Sequence, residues 1–64
     1  MAFVAGQRVV LMVRQVYADG RFIEWGTKGT VTRPAPTLKS SWIEFDATPG
    51  EKLVPDSNLE SVAA

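Results

Sequence analysis

Glu44 and Asp46 stand two apart in the alternating stretch Ser41-Trp42-Ile43-Glu44-Phe45-Asp46. On a strand that spacing sends both carboxylates to one face. Paired carboxylates can carry acid–base chemistry or hold a hard cation. The plainer reading is two solvated charges on an open strand face. Asp56-Ser57-Asn58 offers oxygen ligands but lacks the spacing of a calcium loop. A turn closed by its own side-chain-to-backbone hydrogen bonds explains it. Gly26-Thr27-Lys28-Gly29 has two glycines but neither the Gly-Lys-Ser/Thr ending nor the following helix of a phosphate loop. The chain has no Cys and no His. Thiol nucleophiles, thiolate metal sites, disulfides and the commonest general base are therefore excluded. The remaining acids and bases are seven carboxylates and Tyr17. The expectation is no enzyme, no cofactor and no metal.

Sixty-four residues make one small domain, here 1–64 with its core over 6–62, and a core of marginal size. The hydrophobic fraction is 45% and the charged fraction 22%, which argues against disorder. No apolar run approaches the ~20 residues that cross a bilayer. Met1-Ala2-Phe3-Val4-Ala5-Gly6 has neither a basic start nor a long apolar run, so no secretory leader is expected. With no Cys, a cytoplasmic location and no membrane partner follow as expectations.

Short strands must position these residues. Gln7 to Val13 reads as the first, with Val9, Leu11 and Val13 on one face and Val10 and Met12 on the other. From Arg14 to Thr27 an excursion follows. Val16-Tyr17 and Arg21 to Trp25 flank the turn signal Asp19-Gly20, which suggests an irregular hairpin arm. Thr30 to Arg33 is a second strand, ended by Pro34-Ala35-Pro36. Residues 35 to 40 read as an exposed loop, and 41 to 46 as a third strand. Thr48-Pro49-Gly50 reads as a turn, 51 to 54 as a fourth strand, and Pro55 to Asn58 as one 3₁₀ turn before a last strand at 59 to 62. Five strands with almost no helix predict an all-β barrel or sandwich. Val9, Leu11, Val31, Ile43, Phe45, Val54, Leu59 and Val62 are the expected core.

The order of these features resembles the SH3-like barrels. Gly6-Gln7-Arg8-Val9 is similar to the Gly-x-Arg-Val opening of many bacterial and plastid members. Gly26-Thr27-Lys28-Gly29-Thr30-Val31 resembles their diverging turn and second strand. Trp42 to Asp46 resembles the third strand, and Val54 to Glu60 the closing turn and fifth strand. The resemblance implies a five-stranded barrel with a short 3₁₀ turn before the last strand. It implies no single task, because the fold hosts many. Small accessory subunits of this shape dock on larger assemblies, and KOW-type domains bind RNA. Signalling SH3 domains use an Ala-Leu-Tyr-Asp-Tyr segment that is absent here. Type II dihydrofolate reductases are tetrameric enzymes of similar shape. Their Val-Gln-Ile-Tyr is replaced here by Glu51-Lys52-Leu53-Val54.

In such barrels the ligand groove lies between the long first loop and the start of the third strand. That implies an aromatic groove of Tyr17, Phe22, Trp25 and Trp42, flanked by Arg14 and Arg21. Trp suits such a surface because it offers a large rigid area and one donor. The competing reading has these aromatics close the ends of a small barrel. A protein partner is the first expectation, a second copy of the chain being one form of it. The alternative is nucleic acid, with Arg14, Arg21, Lys28, Arg33 and Lys39 on phosphates and aromatics stacked on bases. A pI of about 6.1 counts against that. Net charge is zero, yet residues 1–40 carry a net +4 and residues 41–64 a net −4. Whether folding separates or mixes the two halves bears on the class of partner.

Overall fold

The computed structural model describes residues 3–62. Met1 and Ala2, part of the N-terminal stretch read above, and Ala63 and Ala64 lie outside the described residues. The chain is all-β with two 3₁₀ turns, at Pro36–Leu38 and Asp56–Asn58. No helix among the described residues is long and apolar enough to cross a membrane. The strands are β1 (Arg8–Leu11), β2 (Gln15–Val16), β3 (Phe22–Ile23), β4 (Lys28–Ala35), β5 (Ser40–Phe45), β6 (Thr48–Pro55) and β7 (Leu59–Ser61). One antiparallel sheet runs in the order β6-β5-β4-β1-β7, and β2 and β3 pair separately. The sheet is not closed; β6 and β7 are its two edges. Its five members correspond to the five expected strands. The excursion forms the expected arm, with Gln15 opposite Ile23 and Val16 opposite Phe22.

Side-chain alternation builds the core. Val9, Leu11, Val31, Ile43, Phe45 and Val54 are at most 1% exposed, and Leu59 joins them. Burying each such side chain contributes roughly 1.5–3 kcal/mol before chain entropy is charged. Three expectations are corrected here. Val62 is only half-buried, because it lies just past the end of β7. Val13 is exposed, because β1 ends at Leu11 and the backbone leaves the sheet there. The core instead gains Ile23, which is 6% exposed and is the one fully buried residue of the arm.

Two strands extend further than the prolines and glycines suggested. β4 continues through Pro34, opposite Ser41. Its pairing with β1 covers only Lys28 to Thr30, so Pro34 sits where β4 has a free edge and a missing donor is tolerated. Thr48-Pro49-Gly50 is not the turn. Asp46-Ala47 makes it, and Phe45 pairs with Thr48. The register then slips before Ile43 meets Lys52, which marks a bulge in β6. Gly50 has the expected positive φ, +95°, but spends it in that bulge.

Ser41 is fully buried, and its hydroxyl donates to the Asp56 carboxylate at 2.6 Å. The Asp56 amide donates to the Lys39 carbonyl. Asp56-Ser57-Asn58 is thus a structural turn tying β5 to the approach of β7. Gly29 is buried where β4 crosses between Val9 of β1 and Phe45 of β5.

Candidate functional site

Large hydrophobic side chains that stay exposed among the described residues are Val4, Met12, Val13, Val16, Phe22, Trp25 and Leu38. Five of the seven fall between residues 12 and 25, on the arm and its base. Phe22 is 54% exposed and Trp25 63%. For Phe22 the cause is the short alternation of the arm. Ile23 faces the core, so Phe22 must face away, directly opposite Val16. The expected turn closes the tip: the Gly20 amide donates to the Tyr17 carbonyl, the Tyr17 amide to the Arg21 carbonyl, and the Arg21 amide to Asp19 Oδ1. At the base, the Gly26 amide donates to the Leu11 carbonyl at 2.7 Å and fixes the arm to β1.

Charged groups frame this apolar face. The Arg14 guanidinium lies 4.9 Å from the Phe22 ring centroid. It also donates through Nε and Nη2 to the two Glu24 oxygens, at 3.2 and 2.9 Å. Glu24 Oε1 accepts the Trp25 amide as well. These bonds from Arg14, then from Trp25, hold the Glu24 carboxyl below the usual carboxylate range. Arg21 pairs with Asp19 at 3.4 Å. Arg14, Arg21, Phe22 and Trp25 are therefore brought together on one arm.

Tyr17 and Trp42 go elsewhere. Tyr17 packs against the core cluster. Trp42 is half-buried on β5, opposite Arg33 and Leu53. The Arg33 guanidinium lies 4.7 Å from its ring centroid and donates to Glu51, which also accepts the Thr32 hydroxyl. Phe22 instead borders a shallow cleft of about 180 Å³ with Glu24, Thr27, Ala47 and Thr48, at the β5–β6 turn. Trp42 lies further along β5, beyond Phe45 and Ile43. Two aromatics make the exposed face, and two serve as partly covered packing.

Glu44 and Asp46 line one open cleft of about 290 Å³, but Asp46 is already engaged. Arg8 takes both Asp46 oxygens, at 2.9 and 2.6 Å, and holds that carboxyl low. Glu44 stands opposite Thr30 beside it. No group of three or more potential metal ligands occurs among the described residues. Every arginine is paired with a carboxylate: Arg8 with Asp46, Arg14 with Glu24, Arg21 with Asp19 and Arg33 with Glu51. Two of these pairs join the basic half of the chain to the acidic half. Folding mixes the charges. Sequence reasoning could name the arginines but not these partners, which lie up to 38 positions away. Ile23 was within reach, because it alternates with Phe22.

Tyr17 carries one further consequence. Tyr17 is partly buried, and its hydroxyl oxygen is buried with no hydrogen-bond partner among the described residues. Burial pushes the phenol above its ordinary value. Because burial disfavours the charged form, stability falls as pH rises past the unfolded pKa. Tyr17→Phe is expected to stabilise the fold by about 1 kcal/mol. It is also expected to remove part of the stability loss above about pH 10. Urea unfolding at neutral and alkaline pH measures both; a destabilised variant would show that the hydroxyl has a partner.

In comparisons with family models, curated proteins and solved structures, none matches this chain.

Proposed function

We propose that this chain is a non-enzymatic binding module or small accessory subunit, built as an SH3-like barrel, that docks on a protein through its β2–β3 arm. The fold reading is supported by the strand order β6-β5-β4-β1-β7, by an arm inserted between the first two sheet strands, and by a 3₁₀ turn just before the last strand. One observation carries the functional reading: five exposed large hydrophobics gather on the arm and its base, where Ile23 packs on the core and leaves Phe22 facing out. Contiguous exposed apolar surface of this kind marks interaction sites. Trp25 and Phe22 are the anchors, and Arg14 and Arg21 orient the partner. Tyr17 and Trp42 stay outside the anchor set, one because its ring packs on the core, the other because Arg33 covers its face.

A protein partner is favoured over nucleic acid by electrostatics. Backbone phosphates are held by uncommitted cations. Here each arginine already faces a carboxylate, which leaves three lysines as the side-chain cations outside an ion pair, and the net charge is zero. The test is site-specific photo-cross-linking in extract of the native host. A benzophenone side chain at position 25 is expected to give protein adducts. The same group at position 38, which is 61% exposed but lies outside the arm, is expected to give none. Nuclease-sensitive adducts, or equal labelling from both positions, would overturn the assignment.

A further inference from the structure

We propose that the occupant of the arm is a second copy of this chain, with the two arms meeting about a two-fold axis. This rests on the reading of the arm as a protein-docking surface and names its partner. Three observations support it.

The first is charge. A two-fold interface sets one patch against itself, so the patch must be self-complementary. The arm carries Arg14, Asp19, Arg21 and Glu24, alternating in sign and summing to zero. Because Arg14 pairs with Glu24 and Arg21 with Asp19, a rotated copy meets no uncompensated charge. A strongly acidic or basic partner would find half of these groups repulsive.

The second is unpaired backbone. β2 and β3 pair only with each other, so each presents an outer edge. A two-stranded hairpin alone is marginal in water. Pairing two arms edge to edge makes a longer sheet and satisfies those groups. The arm edge is short, two residues on each strand, but it carries neither a proline nor a bulge. β6 at the far edge of the main sheet is blunted by Pro49, by the bulge at Gly50 and by Lys52, devices that keep edges from pairing.

The third is the layout of the face. Val16, Phe22 and Trp25 lie among the two ion pairs, Arg14–Glu24 and Arg21–Asp19. An apolar centre with a polar rim is the anatomy of a protein–protein contact. A domain of 64 residues also gains from association, since its own core is small.

Sedimentation equilibrium of the full chain, from micromolar to near-millimolar concentration, tests this. The wild type is expected to approach twice its 7.0 kDa mass as concentration rises. Trp25→Ser and Phe22→Ser are each expected to weaken association by about thirtyfold, and Leu38→Ser to leave it unchanged. Both arm variants replace exposed side chains, and circular dichroism checks that they fold. A wild type that stays monomeric at near-millimolar concentration overturns the proposal. So does a dimer that neither arm variant weakens. The position-25 adduct separates the two readings. An adduct of dimer mass supports both. An adduct with a different protein refutes the second copy and keeps the docking arm, and no protein adduct refutes both.

Discussion

Gly29→Ala is expected to remove a large part of the protein's stability, about 1–3 kcal/mol. In most strand positions the same change is neutral or favourable, because glycine carries the greater entropy cost. Here the added Cβ would sit 2.8 Å from the Glu44 carbonyl oxygen, 2.8 Å from Ile43 Cγ2 and 3.0 Å from Phe45 Cα. Two of those three atoms are backbone of the paired strand β5, and the third belongs to a fully buried side chain. None can rotate away. Relief requires β4 and β5 to separate at their most buried crossing. Overpacking of this kind costs about 1–3 kcal/mol and occasionally more. A domain below ~70–80 residues rarely holds more than about 3–5 kcal/mol. Urea unfolding followed by tryptophan fluorescence would show the midpoint moved well toward zero denaturant. A variant as stable as the wild type would contradict the close approach of β4 and β5 at this position.

Trp25→Ser is expected to have the opposite profile: little effect on stability and a large effect on binding. Trp25 is 63% exposed, and only its amide is engaged, by Glu24. Removing an exposed side chain away from any cap, cavity or network changes stability by no more than about 0.5 kcal/mol. At the centre of an interface, an aromatic anchor is worth about 2 kcal/mol, or about thirtyfold in affinity. Trp42→Ala should show the reverse. Its ring packs between Arg33 and β6, so its loss costs stability while affinity holds. Measuring affinity for the protein recovered in the cross-linking experiment, together with thermal midpoints, separates the two tryptophans. Equal affinity losses from both would favour one continuous aromatic groove over a discrete arm.

That contrast marks how far the sequence could be read. Strand identity was legible, because Val9 and Leu11, Ile43 and Phe45, and Leu59 all lie in clear alternation. The turn at Asp19-Gly20 and the 3₁₀ turn at Asp56 were legible from local chemistry. The join between β5 and β6 was not. A glycine with positive φ serves a turn or a bulge equally well, and only pairing with β5 decides between them. The aromatic residues were legible as types but not by destination. Phe22 and Ile23 are both apolar neighbours, and only docking of the arm on the core sends one in and the other out. The charge pairs were hidden for a related reason. Arg8 meets Asp46 only because β1, β4 and β5 align side by side, and Arg33 meets Glu51 because β4, β5 and β6 do. The +4 and −4 halves of the chain therefore left open whether a polarity survives, and the pairs Arg8–Asp46 and Arg33–Glu51 mix them.

The most direct measurement is an amide map of the dilute ¹⁵N-labelled chain as unlabelled chain or host extract is added. Shifts and broadening confined to Met12 through Trp25, with Thr37 through Lys39 unmoved, are the predicted result. Perturbation centred on the Pro36–Lys39 tip or on the β7 edge, with the arm unmoved, would contradict the arm as the docking surface.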